Sequence, residues 1–483
     1  MRTSTKSWGI LFALTVIFLI GRLALYGIAT DSVAANDTDT YLQCAQTELD
    51  PVLFFQCNRS ATIPFLFRLL NPEGNYQITN MSEPFFGSES RLAVQPGTEK
   101  LVIFQTLLSM FSWVFFTLTF SGFLKHELPK IISAILIYGF ALVPQIADWD
   151  SVLLSESLSF SFFILLITFL LHFIMNTIHR DGYFRIFLSI VGLLVSAIFW
   201  TFTRDTNSYL TAFIALVFLG FFFFSLINSR RYYGSMLMMS VLLIALFAYQ
   251  QITFQRSQRW LLPFMNNMTG NVLPYPERVA FFEERGMPVN ETLLAQTGSA
   301  EYNLMFDQQD FVAWAKVDGM KTYLSFLLDR PVWSMQQFYL SLDDFFSENI
   351  QPFFYGNAEQ KPHWAVKPGN LLHPLSAAVV LIDLLLLIIV FSIRLKQRGR
   401  TAIAWWLFSL ILIGGSVVLV VVSYFGEVRS IIRHVLGGVM PLRLSIWLVA
   451  CILFDQVLEI PAEMPIITRL AGSQTPLISD KIE

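Results

Sequence analysis

The chain has 483 residues and a formal net charge of -3; 54% of it is hydrophobic and only 14% charged, with a mean hydropathy of +0.56. Ordinary soluble domains carry roughly 25% charged residues, so these proportions exclude a soluble globular protein and leave an integral membrane one. A sequence pI of about 6.1 gives no basic footprint for a nucleic-acid partner, which leaves the lipid bilayer and lipid-linked ligands.

Apolar windows of about 19 residues predict spans near 8–28, 101–123, 131–147, 154–175, 185–202, 209–227, 235–253, 372–393, 402–422 and 434–454. The expected fold is therefore all-α: a polytopic transmembrane helical protein of about ten spans, with two extracytoplasmic loop segments containing short helices. Arg2 and Lys6 precede the first run as in a secretory signal, but the run is long and no clear cleavage site follows, so it reads as a retained anchor. The chain divides into an N-terminal transmembrane module, 1–253, with a first outer loop at 29–100; a large extracytoplasmic loop, 254–371; and a C-terminal module with a tail, 372–483.

Short loops rich in Lys and Arg mark the cytoplasmic side. An inside N-terminus puts Lys125 and Lys130, Arg180 and Arg185, Arg230 and Arg231, and the Arg394, Lys396, Arg398, Arg400 cluster on that side. Of the opposite short loops, 148–153 and 203–208 are poor in them, while 423–433 holds Arg429 and Arg433 against the trend. Both termini are thus expected in the cytoplasm, in a multi-pass protein of a bacterial plasma membrane, with the endoplasmic reticulum as the other setting. In the large loop, Trp314, Val317, Lys321, Leu324, Leu327 and Leu328 recur at helical spacing and Pro331 ends the run. A helix against the bilayer or the outer mouth fits this pattern.

Of the three cysteines, Cys44 and Cys57 share the first outer loop and Cys451 lies in the last span. A Cys44–Cys57 bridge and two free buried thiols are both open readings. No CxxC or HExxH spacing occurs, so no metal site is assigned. Sequons begin at Asn36, Asn58, Asn80, Asn267 and Asn290, a weak signal because nearly every Asn lies in an outer segment.

Chemistry-bearing residues concentrate at the expected outer surface. Asp37 and Asp39 lie about nine residues beyond the first span, next to Tyr41. A carboxylate there can accept a proton from a hydroxyl nucleophile, although Asp39 also suits the N-cap of a helix starting at Thr40. The next outer loop holds Asp148 and Asp150, and Glu156 falls inside the start of the fourth span, where an ionisable group is costly and points to function. Capping by Asp150 or Ser151, and a helix-to-helix hydrogen bond for Glu156, are the structural alternatives. Arg204 and Asp205 share a short loop and can pair with each other. Between the last two spans, Glu427, Arg429, Arg433 and His434 form an outward group that suits a phosphate, since arginine offers a fixed fork of donors.

These pieces, in this order, resemble the integral-membrane glycosyltransferases of the GT-C fold. The resemblance is carried by Asp37-Thr38-Asp39-Thr40-Tyr41 after the first span, Arg59 to Pro64, and Ser155 to Leu158 at a helix start. It continues through Arg204-Asp205-Thr206-Asn207, Tyr323-Leu324 to Arg330-Pro331, and Glu427 to His434. It implies transfer of one sugar, with inversion, from a polyprenyl- or dolichyl-phosphate donor to a glycan, lipid or protein acceptor. It implies Asp37 as the catalytic residue, with Asp39 close behind, and a second-loop carboxylate at Asp148, Asp150 or Glu156. The phosphate and substrate contacts would fall on Arg433, His434, Arg204 and Tyr41. No cofactor is required, although a divalent cation is compatible with the carboxylates. The adjacent Asp-Glu pair of some mannosyltransferases is absent. A lipid-linked glycan transporter or flippase, and a ligase or polymerase of whole glycans as in O-antigen assembly, are the rival readings. Finally, Asp383 and Arg443 lie about 18 Å and 14 Å below the outer ends of their spans at 1.5 Å per residue, so an ion pair between them is expected, the competing reading being that Arg443 reaches up toward the donor phosphate while Asp383 stays protonated.

Overall fold

Helix starts with α1 (Thr5–Tyr26), which carries the apolar run expected near 8–28. The computed structural model describes residues 5–27, 32–35, 37–80, 92–227, 233–298, 308–351, 363–396 and 399–459. Short helices α2 (Thr38–Cys44) and α3 (Thr62–Leu70) follow, then an antiparallel strand pair, β1 (Ile78–Asn80) and β2 (Leu92–Val94). The bundle continues with α4 (Glu99–Phe123), α5 (Glu127–Leu142), the one-turn α6 (Pro144–Ala147), α7 (Ser155–His179), α8 (Tyr183–Thr201), α9 (Asn207–Ile227) and α10 (Gly234–Arg256).

The next stretch is built of short helices: α11 (Leu261–Asn267), α12 (Pro276–Glu283), α13 (Glu291–Leu294), α14 (Gln309–Trp314), α15 (Met320–Asp329), α16 (Pro331–Leu340), α17 (Leu342–Phe346) and α18 (His363–Leu372). Three long helices complete the bundle, α19 (Ala378–Lys396), α20 (Arg400–Gly426) and α21 (Ile431–Val457). Among the described residues, nine helices are long and apolar enough to cross a membrane, and a bent pair makes a tenth. The protein is an all-α, multi-pass membrane protein.

The third span is not the straight helix expected near 131–147. It breaks after Leu142 and turns by 55° into Pro144–Ser151, because Pro144 lacks the N–H that would bond back and its ring clashes with the preceding turn. It sits instead at the first position of α6. The eighth span starts at Ala378 rather than near 372, with Pro374 in the connection from α18. In the large loop, α14 runs through a π-helical turn, Ala315–Gly319, into α15, and Pro331 both ends that run and opens α16.

The centre of the bundle is α7, of which 83% of the most apolar window is buried, against 17% for α1 and α19 at the periphery. One apolar cluster joins α4, α5, α7 and the inner faces of α8, α9, α20 and α21. A second, from Trp260 to Phe326, gives the large loop its own core. Cys44 and Cys57 form a disulfide with Cα atoms 5.6 Å apart, tying the end of α2 to the chain that leads into α3, and Cys451 is free and buried.

Asp383 and Arg443 do not pair. Arg443 donates through Nε to the Pro374 carbonyl at 3.0 Å and through Nη2 to the carbonyls of Phe346 and Glu348, both at 3.2 Å. Asp383 accepts from Ser445 Oγ at 2.7 Å. Similar depth put them within reach, but the guanidinium, with five N–H groups, is taken up by the carbonyls of Phe346, Glu348 and Pro374.

Candidate functional site

The loops after α1 and after α6 are zipped together at one end of the bundle. Val33 N donates to the Ser151 carbonyl and Leu153 N to the Val33 carbonyl, each at 2.9 Å. Thr38 Oγ1 adds a bond to the Leu153 carbonyl at 2.9 Å. This zipper sets the N-terminus of α2, with Asp37 at its cap position, beside the N-terminus of α7, where Glu156 is fully buried in the first turn.

Three arginines from other elements converge on these two carboxylates. Arg433, in the first turn of α21, is ion-paired with Asp37 through Nη2 and brings Nε to 3.1 Å from Glu156 Oε1. The second contact is an ion pair without hydrogen-bond alignment, since neither atom finds a hydrogen-bond partner. Arg59 donates to the other Asp37 oxygen at 2.9 Å and to Thr40 Oγ1 at 2.7 Å, with its plane 4.9 Å from the Tyr41 ring. Arg204 stands 3.9 Å from Glu156 and donates to the Arg433 carbonyl at 3.2 Å. Its Nη2 lies 3.5 Å from His434 Nδ1. Burial raises the Asp37 carboxyl, but the two guanidiniums, Arg433 foremost, more than reverse this and hold it at about 2. Burial pushes the Tyr41 phenol up.

Asp37, Tyr41, Glu156, Arg204, Arg433 and His434, all singled out from the sequence, therefore meet in one cluster. Asp39, Asp150 and Asp148 do not join it. Asp39 lies inside the first turn of α2, which starts at Thr38 rather than Thr40, so it is not the helix cap; it accepts from the Tyr76 hydroxyl and from Gln43 Nε2 at 2.5 Å. Asp150 forms a buried ion pair with Arg22 of α1 at 2.5 Å and accepts from Ser157 Oγ at 2.7 Å. Asp148 is buried beside it. Arg204 and Asp205 do not pair with each other either: Asp205 is held by Arg259 at 3.0 Å and Gln250 Nε2 at 2.6 Å. Arg59 belongs to the Arg59 to Pro64 motif, and the sequence does not mark it as a site residue. The signal that would have found it is the one that marked Arg433, an arginine on the side where the positive-inside trend expects few.

A cavity of about 490 Å³ opens beside Arg433, within the range of roughly 300–1,000 Å³ usual for small-molecule sites. Trp149, Glu348, Asn349, Ser430, Ile432 and Leu436 form much of its wall. The 348–349 stretch is held there by Arg443 below it and by Asn349 Nδ2, which donates to the His373 carbonyl at 2.7 Å. The large loop is clamped to the same corner. Asn266 donates to Glu427 at 3.1 Å, Asn267 to the Gly426 carbonyl at 2.9 Å and the Tyr323 hydroxyl to the Phe425 carbonyl at 3.0 Å. The Asn267 sequon is thus buried and spent on backbone contacts. Among the described residues no group of three or more His, Cys, Asp and Glu side chains converges to hold a metal ion. Asp37 and Glu156 face guanidiniums, so this donor set is a network of ion pairs and does not fit a divalent cation.

No family model matches the chain, and no curated protein matches it. Among solved structures it is similar to the S. cerevisiae protein O-mannosyltransferase Pmt1-Pmt2 complex bound to the sugar donor, at 11% identity and TM-score 0.37, over 53% of this chain and 34% of the other. It is also similar to the archaeal oligosaccharyltransferase AglB from Archaeoglobus fulgidus in complex with an inhibitory peptide and a dolichol-phosphate. That match has 11% identity and TM-score 0.43, over 94% of this chain and 51% of the other. The apo form of the A. fulgidus oligosaccharyltransferase gives 12%, 0.42, 93% and 51%. This chain spans about a third to a half of the length of the solved chains it matches. These are glycosyltransferases of the GT-C fold, the class that the sequence resembles. At such identities and TM-scores the likeness by itself assigns no activity, which rests on the residues of this chain.

Proposed function

We propose that the protein is a membrane glycosyltransferase that moves a single sugar, with inversion, from a polyprenyl-phosphate-linked donor to a hydroxyl of a glycan, lipid or protein acceptor. The observation that carries this reading is the convergence of Asp37 and Glu156 with Arg59, Arg204 and Arg433 beside a cavity at one end of the bundle. It pairs an acidic group with an anion-binding group within one side chain's reach, which is what transfer from a phosphate requires.

In this reading Asp37 accepts the proton of the acceptor hydroxyl as its oxygen attacks the anomeric carbon. The bond from that carbon to the phosphate oxygen breaks, and the electron pair leaves on the phosphate beside Arg433. Phosphate is a good leaving group, so a strong general acid is not needed. The site end of the bundle faces away from the cytoplasm, with both termini inside. In this reading the chain divides at 253 and 371, with the large loop clamped to the corner between α20 and α21 through Asn266, Asn267 and Tyr323.

The test is mass spectrometry of cell-surface glycans and glycolipids from cells with and without the gene. The expected result is one hexose, pentose or deoxyhexose missing from a defined glycan in the deletion, restored by the wild-type gene and not by Asp37→Asn. Loss of the whole glycan from the surface on deletion, with accumulation of an intact lipid-linked glycan, would instead favour transport.

A further inference from the structure

Arg433 serves two places at once. Its Nη2 holds Asp37 and its Nε faces Glu156, yet the same side chain lines the cavity. Arg59, the other guanidinium on Asp37, is fixed on Thr40 and stacked over Tyr41, and among the described residues it is not one that lines the cavity. An anion entering the cavity therefore meets Arg433. Arg204 pins the Arg433 backbone through its carbonyl, but the side chain has a looser hold, because its Nε lacks an aligned acceptor. The cluster also sets three guanidiniums against two carboxylates, a net positive charge that faces one acidic residue of the cavity wall, Glu348.

As the cluster stands, Asp37 is poorly disposed to take a proton. A guanidinium sits on each of its oxygens, and a general base works best when its pKa lies near the operating pH, whereas this carboxyl is held at about 2.

We infer that Arg433 is an exchange latch: the phosphate of the incoming donor takes over its guanidinium and frees Asp37 Oδ2 for the acceptor hydroxyl, so donor binding precedes and arms the base. The inference rests on the reading that Asp37 accepts the acceptor's proton. A phosphate competes well for a guanidinium because charge-assisted, bidentate contacts are the strong ones. Once the latch has moved, the hydroxyl proton passes to Oδ2. The new bond to the anomeric carbon forms as the bond to phosphate oxygen breaks, and the charge gained by the departing phosphate tightens its hold on Arg433.

The experiment labels the full chain in lipid nanodiscs with a water-soluble carbodiimide, which attacks protonated carboxyls, over a range of pH. Mass spectrometry reads modification at Asp37. Undecaprenyl phosphate, undecaprenol and inorganic phosphate are the probes, and retention of radiolabelled undecaprenyl phosphate reports binding. The expected result is that undecaprenyl phosphate moves the half-labelling pH of Asp37 up by about one unit or more and undecaprenol does not. The same shift with inorganic phosphate supports the latch and shows that the lipid is not needed to open it. Arg433→Ala should start at the raised value and no longer respond, with Arg433→Lys between. If the alanine variant fails to fold, the wild-type probes decide alone. Retained undecaprenyl phosphate with unmoved Asp37 labelling overturns the latch and leaves the donor reading standing. Failure of the wild type to retain undecaprenyl phosphate overturns both.

Discussion

Asp37 and Asp39 stand two positions apart at the start of one short helix, and that spacing separates their fates. Residues i and i+2 of a helix do not share a face, so Asp37 turns to Arg59 and Arg433 while Asp39 turns to Tyr76 and Gln43. Only the first can exchange a proton beside an anion site. Asp37→Asn should therefore lower transfer by at least about 100-fold while the protein still folds, with a lowered thermal unfolding midpoint because Arg59 and Arg433 lose their carboxylate partner. Asp39→Asn, which weakens hydrogen bonds to a side chain outside the cluster, should cost less than about tenfold. Sugar-transfer assays on the two purified variants check this, and wild-type rates in both would reduce these carboxylates to structural residues. The pair was legible in the sequence as a motif. Which member faces the arginines was not, because that depends on where the helix begins, and it begins at Thr38.

At the scale of elements, the corner between α20 and α21 is the joint on which the site depends. It carries Arg433 on one side and receives the large loop on the other. Glu427 is its titratable member: burial raises the carboxyl to about 7, against partial relief from the Arg429 N–H at 3.0 Å and Asn266 at 3.1 Å. A carboxyl raised in the folded state contributes stability that is complete below its unfolded value, about 4.5, and is lost as pH rises through about 7. Glu427→Gln, which cannot ionise, should therefore gain on the wild type in unfolding midpoint as pH is raised from 5 to 8. A constant difference between the two across that range would show that Glu427 does not titrate there. The sequence marked Glu427 as one of an outward group, but its burial comes from α11, more than 150 residues earlier in the chain, and no local pattern announces that contact.

The whole molecule sorts its charged loops to two ends. Asp37, Glu156, Arg204, Arg433 and the large loop gather at one. At the other, Lys125 pairs with Glu459, His126 lies 3.0 Å from Asp455 and Arg400 donates to the His179 carbonyl at 3.2 Å. The membrane-facing surface between them is apolar, as on α8 and α19. The orientation expected from the Lys and Arg bias predicts that a cysteine at exposed Glu284 is modified in intact cells by an impermeant thiol reagent, and that one at exposed Arg180 is modified only after permeabilisation. The native cysteines add little background, since two are joined and the third is buried. The reverse labelling would invert the topology and put the site on the cytoplasmic side. Arg230, Arg231, Gln397 and Arg398, part of the basic loops behind that orientation, lie outside the described residues, as does the Asn36 sequon.

The approximate number of the spans came from the sequence itself, because long apolar runs have no other stable place than a bilayer and the backbone inside it must close its own hydrogen bonds. The gathering of chemistry at the interface was equally local, since charge is expelled from the apolar runs into the short loops between them. Pairing was decided only in three dimensions. Asp150 took Arg22 rather than joining Glu156, Asp205 took Arg259 rather than Arg204, and Arg443 took three carbonyls rather than Asp383. Each pairing depends on how helices far apart in the chain pack against one another.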